Sequence, residues 1–464
     1  VTMTIWTPAL EADKPAYQAL ADAVARDRAS GALAAGARLP PHRTLAYALG
    51  LTVGTITRGY AEAARRGLVR GEVGRGTFVT DPAAPERAHL ALQRRVADDG
   101  SVLNLTITRP ALDMPLPAVK AGLAALAAGD LDGLLDYGPA EGKLEHRAAI
   151  ADWLRRPEGG VQPERVIVAS GAQNALALAA AGLFRPGDAI AVDPLTYPGF
   201  KTAASLFGLT LTAAAGDMDG MTPDALEAAA KAGARGVYLM PTIHNPTMAT
   251  MPLARRHALA AVAEAHDLLI LEDDVYGFLA ETPPPRFADL APERTALIGS
   301  ISKFMGPALR VGWIAPPLAR LAEVSGALRG LAWMASPLLA DVVATAMASG
   351  EAQRLADRQR QEAAARMVIV RAHLGPWLPN DAPPAAMHVW LPLPEPWRAD
   401  AFVAEAEARR IAVSGAGAFA VGRARAIHAI RFGLGAQTRA RLEQGMATLA
   451  ALLETPPRAG AAVV

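Results

Sequence analysis

The 464-residue chain contains no cysteine. That excludes disulfides, thiolate zinc sites and a cysteine nucleophile, and nothing argues for an oxidising compartment. Long apolar runs are missing too: stretches such as Ala175 to Phe184 fall well short of the ~20 residues that span a bilayer. The opening residues, VTMTIWTPALEADKP, show no basic segment followed by an apolar core, so a cytoplasmic protein with no membrane partner is expected. No metal site is read. Lysine is scarce, with six (14, 120, 143, 201, 231 and 303) among 46 basic residues, so any lysine in an apolar neighbourhood stands out.

What is present describes a globular chain of more than one domain. Hydrophobic residues make up 52%, charged residues 20%, and the net charge is +1, which excludes bulk disorder. At ~100–200 residues per domain the length predicts two to four domains. Charge is uneven: residues 1–80 carry ten Lys/Arg against six Asp/Glu, and the remainder is slightly acidic. The two parts are expected to have different partners.

Periodicity predicts three helices in residues 14–80, at 17–30, 44–50 and 52–67, the last two joined by Gly50-Leu51-Thr52 with Thr52 as a cap. Leu68-Val69-Arg70 and Thr77-Phe78-Val79 then read as strands around a glycine-rich tip, which makes a winged helix-turn-helix. Residues 81–101 read as a linker. Residues 102–317 alternate short apolar strands with alanine-rich helices (RVIVAS, DAIAVD, GVYLMP, LLILEDD, TALIGSIS, RVGWIA), the pattern of a mostly parallel sheet wrapped on both faces. Residues 318–454 read as a smaller α+β lobe, and 455–464 as a tail.

The chemistry concentrates in the large α/β part. Lys303 lies in GSISKFMGPALRVGW between a strand end and a turn, beside Ser300, Ser302 and Arg310. Apolar surroundings and a neighbouring cation lower an ammonium pKa and make a Schiff-base nucleophile. EDDVYGF ends a strand with Asp273 and Tyr276, and MPTIHNPT places His244 and Asn245 after another. VASGAQN reads as a strand, a turn and a helix start whose free N–H groups suit a phosphate. An acid, an imine-forming amine and an anion cradle are what pyridoxal phosphate requires.

In this order the motifs resemble the fold-type I aminotransferases. With the winged helix in front, nearly the whole chain resembles the MocR subfamily of GntR-type regulators. The resemblance implies that Lys303 holds pyridoxal 5'-phosphate as a Schiff base, that Asp273 pairs with the ring nitrogen, and that Asn245 and Tyr276 bond its phenolic oxygen. It also implies that Tyr197 stacks on the ring, that Gly171, Ala172, Gln173, Ser300, Ser302 and Arg310 form the phosphate cup, and that Tyr137 of YGPAEG reaches the phosphate of a partner subunit in a homodimer. Arg431, in AIRFG, matches the arginine that forks onto an α-carboxylate. On the winged helix, Arg43, Thr55, Thr57, Arg58, Arg75 and Gly76 match positions that meet duplex DNA.

Departures fall on the ligand-facing segments: Met248 stands where the family has glycine, and Thr108-Arg109-Pro110 lacks a glycine. In the winged helix His42, Val53 and Gly59 depart, Gly59 at a cost of ~1 kcal/mol against alanine in a helix. Arg65, Arg66 and Arg70 are expected to form a solvated face or meet phosphate, His42 to make a local contact or cap, and His244 to stand behind the direct contacts. Trp313 and Tyr238 are expected in the core and His146 on the surface. The leading expectation is a regulator that senses a small amine or amino acid, or the cofactor itself, through exchange at Lys303. The alternatives are a working aminotransferase of an α-amino acid and a cofactor-free DNA-binding scaffold.

Overall fold

The computed structural model describes residues 6–11, 14–34, 36–66, 68–72, 76–79, 101–111, 116–129, 131, 133–157, 159–422, 427–435 and 437–455. Arg75, residues 81–100 of the expected linker and the tail from 456 lie outside the described residues. Two compact units are present, residues 1–90 and 91–464.

The first unit contains helices α1 (Ala16–Ala29), α2 (His42–Leu49) and α3 (Val53–Arg65), then an antiparallel hairpin of β1 (Val69–Glu72) and β2 (Gly76–Val79). Helix α2 stops at Gly50, whose φ of 66° is left-handed. Helix α3 starts on the predicted cap, the Thr52 side chain accepting from Thr55 N–H at 3.1 Å. Leu20, Val24, Leu45, Ile56, Tyr60 and Val79 share one core. Gly59 does not interrupt α3. It is buried against α1, and a Cβ there would stand 2.6 Å from Leu20 Cδ2. Close approach of two helices, rather than a break, explains this glycine.

The second unit is built on a seven-stranded sheet of order β4-β12-β11-β10-β9-β5-β6. A short β3 (Leu103–Asn104) precedes these strands, which are β4 (Ile167–Ala169), β5 (Ala189–Val192), β6 (Thr210–Ala213), β9 (Ala234–Leu239), β10 (Leu269–Asp273), β11 (Thr295–Ser300) and β12 (Gly312–Ala315), with a small hairpin of β7 (Gly216–Asp217) and β8 (Gly220–Met221) between them. All neighbours are parallel except β12, which runs antiparallel to β11 and β4. The strand ends where ligands collect in such sheets therefore gather on one edge, and the reversed β12 brings the residues preceding it there as well. A smaller sheet joins β13 (His388–Pro392), β16 (Ala429–Gly433) and β15 (Ser414–Gly415), beside β14 (Ile411–Ala412).

Two features differ from the sequence division. Strand β3 pairs with β14, so the first described residues of this unit join the C-terminal lobe although they precede the large sheet in the chain. After residue 317 the packing does not change at once: Leu321–Leu331 packs on Ala172–Leu183, and Pro337–Ala348 packs on Leu144–Trp153, both in the large part. His146 is buried rather than on the surface, with Nε2 3.5 Å from Asp341, a partner 195 residues away that helical spacing does not reveal.

Gly59→Ala tests the helix contact. Helix propensity alone favours alanine by ~1 kcal/mol, but Leu20 is fully buried and cannot give way, so overpacking of about 1–3 kcal/mol should prevail. A lower melting temperature for the first unit is expected, measured by thermal unfolding of the full chain.

Candidate functional site

One cavity of about 580 Å³ opens at the carboxyl edge of the large sheet. It collects Lys303, Asp273, Tyr276, Asn245, Tyr197, Ala172, Gln173, Ser300, Ser302 and Arg310, all singled out from the sequence. Each arrives by its strand. Asp273 ends β10, Ser300 ends β11 and leads into Lys303, and Ala172 opens the helix Ala172–Leu183 just after β4.

Asp273 is buried and its carboxylate is fixed from two sides. Oδ2 accepts from Tyr238 O–H at 2.9 Å, and Oδ1 accepts from Val275 N–H at 3.3 Å. Burial pushes its pKa up to about 6, against the pull of those two hydrogen bonds. Tyr238 is in the core as expected, stacked on Phe200 at 4.0 Å, but it also orients the acid. That second role follows from β9 lying beside β10, which a single strand pattern does not show.

Around the amine, Lys303 Nζ donates to Thr108 carbonyl O at 3.0 Å and stands 5.6 Å from the centre of the Tyr276 ring. Tyr197 O–H donates to Gln173 Oε1 at 3.3 Å, while Gln173 Nε2 donates to Gly199 O at 2.8 Å. Ser300 and Ser302 hydroxyls are 2.7 Å apart. Arg310 Nη2 donates to Ser170 O at 2.7 Å and lies over Gly171, where a Cβ would meet the guanidinium at 2.6 Å. Gly171 thus allows the arginine to approach the N-terminus of the helix, and a φ of 84° also favours glycine there. Helix N–H groups, two hydroxyls and a guanidinium suit a phosphate.

The remaining candidate residues divide between the cavity and its surroundings. Asn245 lies in the cavity with Oδ1 buried and unpartnered. Behind it, His244 bonds Thr247 Oγ1 at 2.8 Å, and burial lowers its pKa to about 4. Met248 is accommodated in place of glycine, with a left-handed φ of 68° and its side chain in the core. Arg431 sits next to Tyr276 and Tyr197 of the cavity wall. It is buried, donating from Nη1 to Thr106 O at 3.1 Å and from Nη2 to Thr108 Oγ1. Arg109 lines the cavity. Tyr137 is 77% exposed and makes an edge contact with Trp333, also exposed, at 5.7 Å. Lys201, unremarked in the sequence beyond its scarcity, donates to Ala418 O at 3.0 Å and Ala420 O at 2.7 Å. It ties the helix Pro198–Leu206, at whose N-terminus Tyr197 sits, to the C-terminal lobe.

On the winged helix Arg43 and Arg58 are exposed. The Arg58 guanidinium sits 4.4 Å over the Tyr17 ring. Thr57 Oγ1 donates to Val53 O at 2.9 Å and meets His42 Nδ1 at 3.0 Å, so His42 makes a local contact. Thr55 meets the Thr52 hydroxyl at 2.9 Å. Arg66 is held by Asp22 and Glu62. Gly76 begins β2 with the Arg38 side chain over it. Tyr47 on α2 is 93% exposed, and the periodicity that places a neighbouring Leu45 inside was the signal for it.

Comparison with known proteins agrees with this anatomy. Residues 101–449 match the family described as aminotransferase class I and II, and residues 16–79 match the bacterial regulatory proteins of the gntR family. The HTH-type transcriptional regulator YdeF of Bacillus subtilis is 31% identical over 97% of both chains. The chain belongs to the gntR-type regulators that carry a class I and II aminotransferase domain. This is the MocR arrangement.

The HTH-type pyridoxine biosynthesis transcriptional regulator PdxR of Corynebacterium glutamicum is 31% identical over 78% of this chain and 79% of its own. Among solved structures, the α-aminoadipate aminotransferase LysN of Thermus thermophilus, complexed with a phosphopyridoxyl-leucine, aligns with a TM-score of 0.70 at 25% identity, covering 78% of this chain and 94% of that one. Pyridoxal 5'-phosphate is the cofactor of this regulator's fold, and the cavity fits it. The cavity has room for a substituted ring, a buried acid, an amine and an anion cradle, and Asn245 offers a buried polar atom still without a partner. Among the described residues no helix is long and apolar enough to cross a membrane.

Tyr238→Phe should leave the core intact and remove one hydrogen bond from Asp273. About 1 kcal/mol is at stake, so cofactor retention should weaken roughly five- to tenfold, read by equilibrium dialysis.

Proposed function

We propose that this is a cytoplasmic, homodimeric transcriptional regulator that binds duplex DNA through residues 16–79 and senses an amino compound, or pyridoxal 5'-phosphate itself, at Lys303. One observation carries the reading: a winged helix with an exposed basic face stands in the same chain as a complete cofactor pocket whose ligand arginine is held by the chain itself. Thr106 O and Thr108 Oγ1 fill the Arg431 fork, and Thr108 O takes the Lys303 ammonium.

Bound at Lys303, the cofactor supplies an electrophilic imine and an electron-withdrawing ring. Asp273, oriented by Tyr238, is placed to keep the ring nitrogen protonated, and Tyr197 to cover the ring's face. Asn245 and Tyr276 are placed to hold the phenolic oxygen. Gly171, Ala172, Gln173, Ser300, Ser302 and Arg310 are placed to hold the phosphate. An amino-acid ligand would need Arg431 for its carboxylate in place of Thr106 O and Thr108 Oγ1, and would leave the Lys303 amine to Thr108 O. Such an exchange would involve backbone as well as side-chain acceptors. It can bias DNA binding only through different ligand affinities in two arrangements of the protein.

Support for the homodimer comes from an uncovered apolar surface. The helix Leu116–Ala128 is largely apolar yet buries none of its residues, and Tyr137 and Trp333 are exposed together. Such a surface is characteristic of an interface, and the exposure of Tyr137 supports its reaching a second subunit there.

On DNA, the Arg58–Tyr17 contact is worth about 0.5–1 kcal/mol at an exposed site, against about 1–3 kcal/mol for a bidentate base contact. The arginine can therefore leave the ring for a base edge. Arg58→Ala should weaken specific binding by about 1–3 kcal/mol and affinity should fall steeply with salt, both read by mobility shift. A protein that binds no duplex at low salt would leave the aminotransferase reading in its place.

Lys303→Ala should abolish the visible absorption of the cofactor-loaded protein, and borohydride should fix the cofactor to a Lys303 peptide. Thr108→Val should free Arg431 and tighten an α-amino acid several-fold without altering the resting spectrum, whereas Arg431→Ala should abolish its spectral response. Stopped-flow absorbance with candidate amines, followed by keto-acid assay, separates the readings. Sustained turnover over many cycles would make the protein an enzyme with an accessory winged helix.

A further inference from the structure

A second cavity of about 210 Å³ lies beside the cofactor cavity and shares only Val275 and Ser300 with it. An apolar cavity of about 150 Å³ holds benzene, so this one has room for a single ring with a substituent. Part of its wall is aromatic and much of the rest is polar. Trp153 stacks on Phe304 at 4.8 Å, Phe278 meets Phe304 edge-on at 5.3 Å, and Trp313 completes the surround.

Two polar atoms in this lining are buried and unpartnered, the Asp274 Oδ1 acceptor and the Trp313 Nε1 donor. Both side chains are nine-tenths or more buried, at 9% and 3% exposed. An unmet buried hydrogen-bonding group is a standing cost, and two in one lining indicate a ligand that supplies a donor and an acceptor. Around them Arg155, Arg156 and Arg360 contribute positive charge. Arg156 Nη2 reaches Asp274 Oδ2 at 3.2 Å, whereas among the described residues Arg155 pairs with the exposed Asp152, and Arg360 with Asp357. Exposed pairs of that kind are weak and readily exchanged for a ligand anion.

We propose that this cavity is a second small-molecule site, for a monocyclic aromatic carboxylate bearing a hydroxyl. The ring lies among Trp153, Phe278, Phe304 and Trp313, the hydroxyl donates to Asp274 Oδ1 and accepts from Trp313 Nε1–H, and the carboxylate meets the arginines. The site adjoins the cofactor through the chain itself, since Asp274 follows Asp273 and Phe304 follows Lys303. Any coupling of its occupancy to the cofactor is reciprocal. The proposal does not depend on DNA binding.

The probe is 4-hydroxybenzoate, titrated calorimetrically into the full-length, cofactor-loaded protein. Saturable binding of one molecule per chain is expected, with benzoate weaker for lack of the donor and cyclohexanecarboxylate weaker for lack of the flat ring. Trp313→Phe keeps the ring and removes the N–H, and should weaken binding about tenfold. Ala280→Leu fills the cavity and should abolish binding. Absence of saturable heat, or equal binding by Trp313→Phe and wild type, would each overturn the proposal. If Ala280→Leu fails to fold, Trp313→Phe and the ligand series still decide it.

Discussion

The second unit depends on where its first strand is anchored. Because β3 pairs with β14 of the C-terminal lobe, the residues that follow it must cross from that lobe to the large sheet. They do so beside the cavity. Leu105 N–H donates to Ala412 O at 2.9 Å, and Gly433 N–H donates to Leu105 O at 2.6 Å. Residues 106–108 are thereby held where Thr108 meets Lys303 on one side and Arg431 on the other. One stretch of chain thus supplies acceptors to two cations, Thr106 O and Thr108 Oγ1 to Arg431 and Thr108 O to Lys303.

This arrangement explains why the departures from the aminotransferase pattern matter where they do. Met248 is absorbed by the core at the cost of a left-handed backbone, a strain of order 1 kcal/mol that burial of a methionine side chain outweighs. The Thr108-Arg109-Pro110 segment is different, because its atoms serve as partners for the lysine and the arginine. A substitution in the first place changes packing; a substitution in the second changes what a ligand must displace.

Much of the fold was legible because it repeats local signals. Strand-helix alternation marks the parallel sheet, and Thr52 marks the start of α3 by the same capping bond seen in the structure. Lys303, Asp273 and Asn245 were legible as a set because each follows a strand, and parallel strands deliver such residues to one edge. Contacts between distant segments were not legible. His146 meets Asp341, Arg431 meets Thr106 and Thr108, and Tyr238 meets Asp273; in each case one partner looks ordinary until the topology supplies the other. Gly59 is the converse, a residue whose local cost was legible and whose tertiary reason was not.

The Lys201 strap adds a mechanical property to the cofactor pocket. Its ammonium grips two carbonyls of the C-terminal lobe, while Thr196 N–H donates to Phe419 O and Val421 N–H donates to Pro194 O, each at 2.9 Å. Tyr197 lies between these four hydrogen bonds. A shift of the lobe therefore loads all four at once, at the same stretch of chain that lines the pocket.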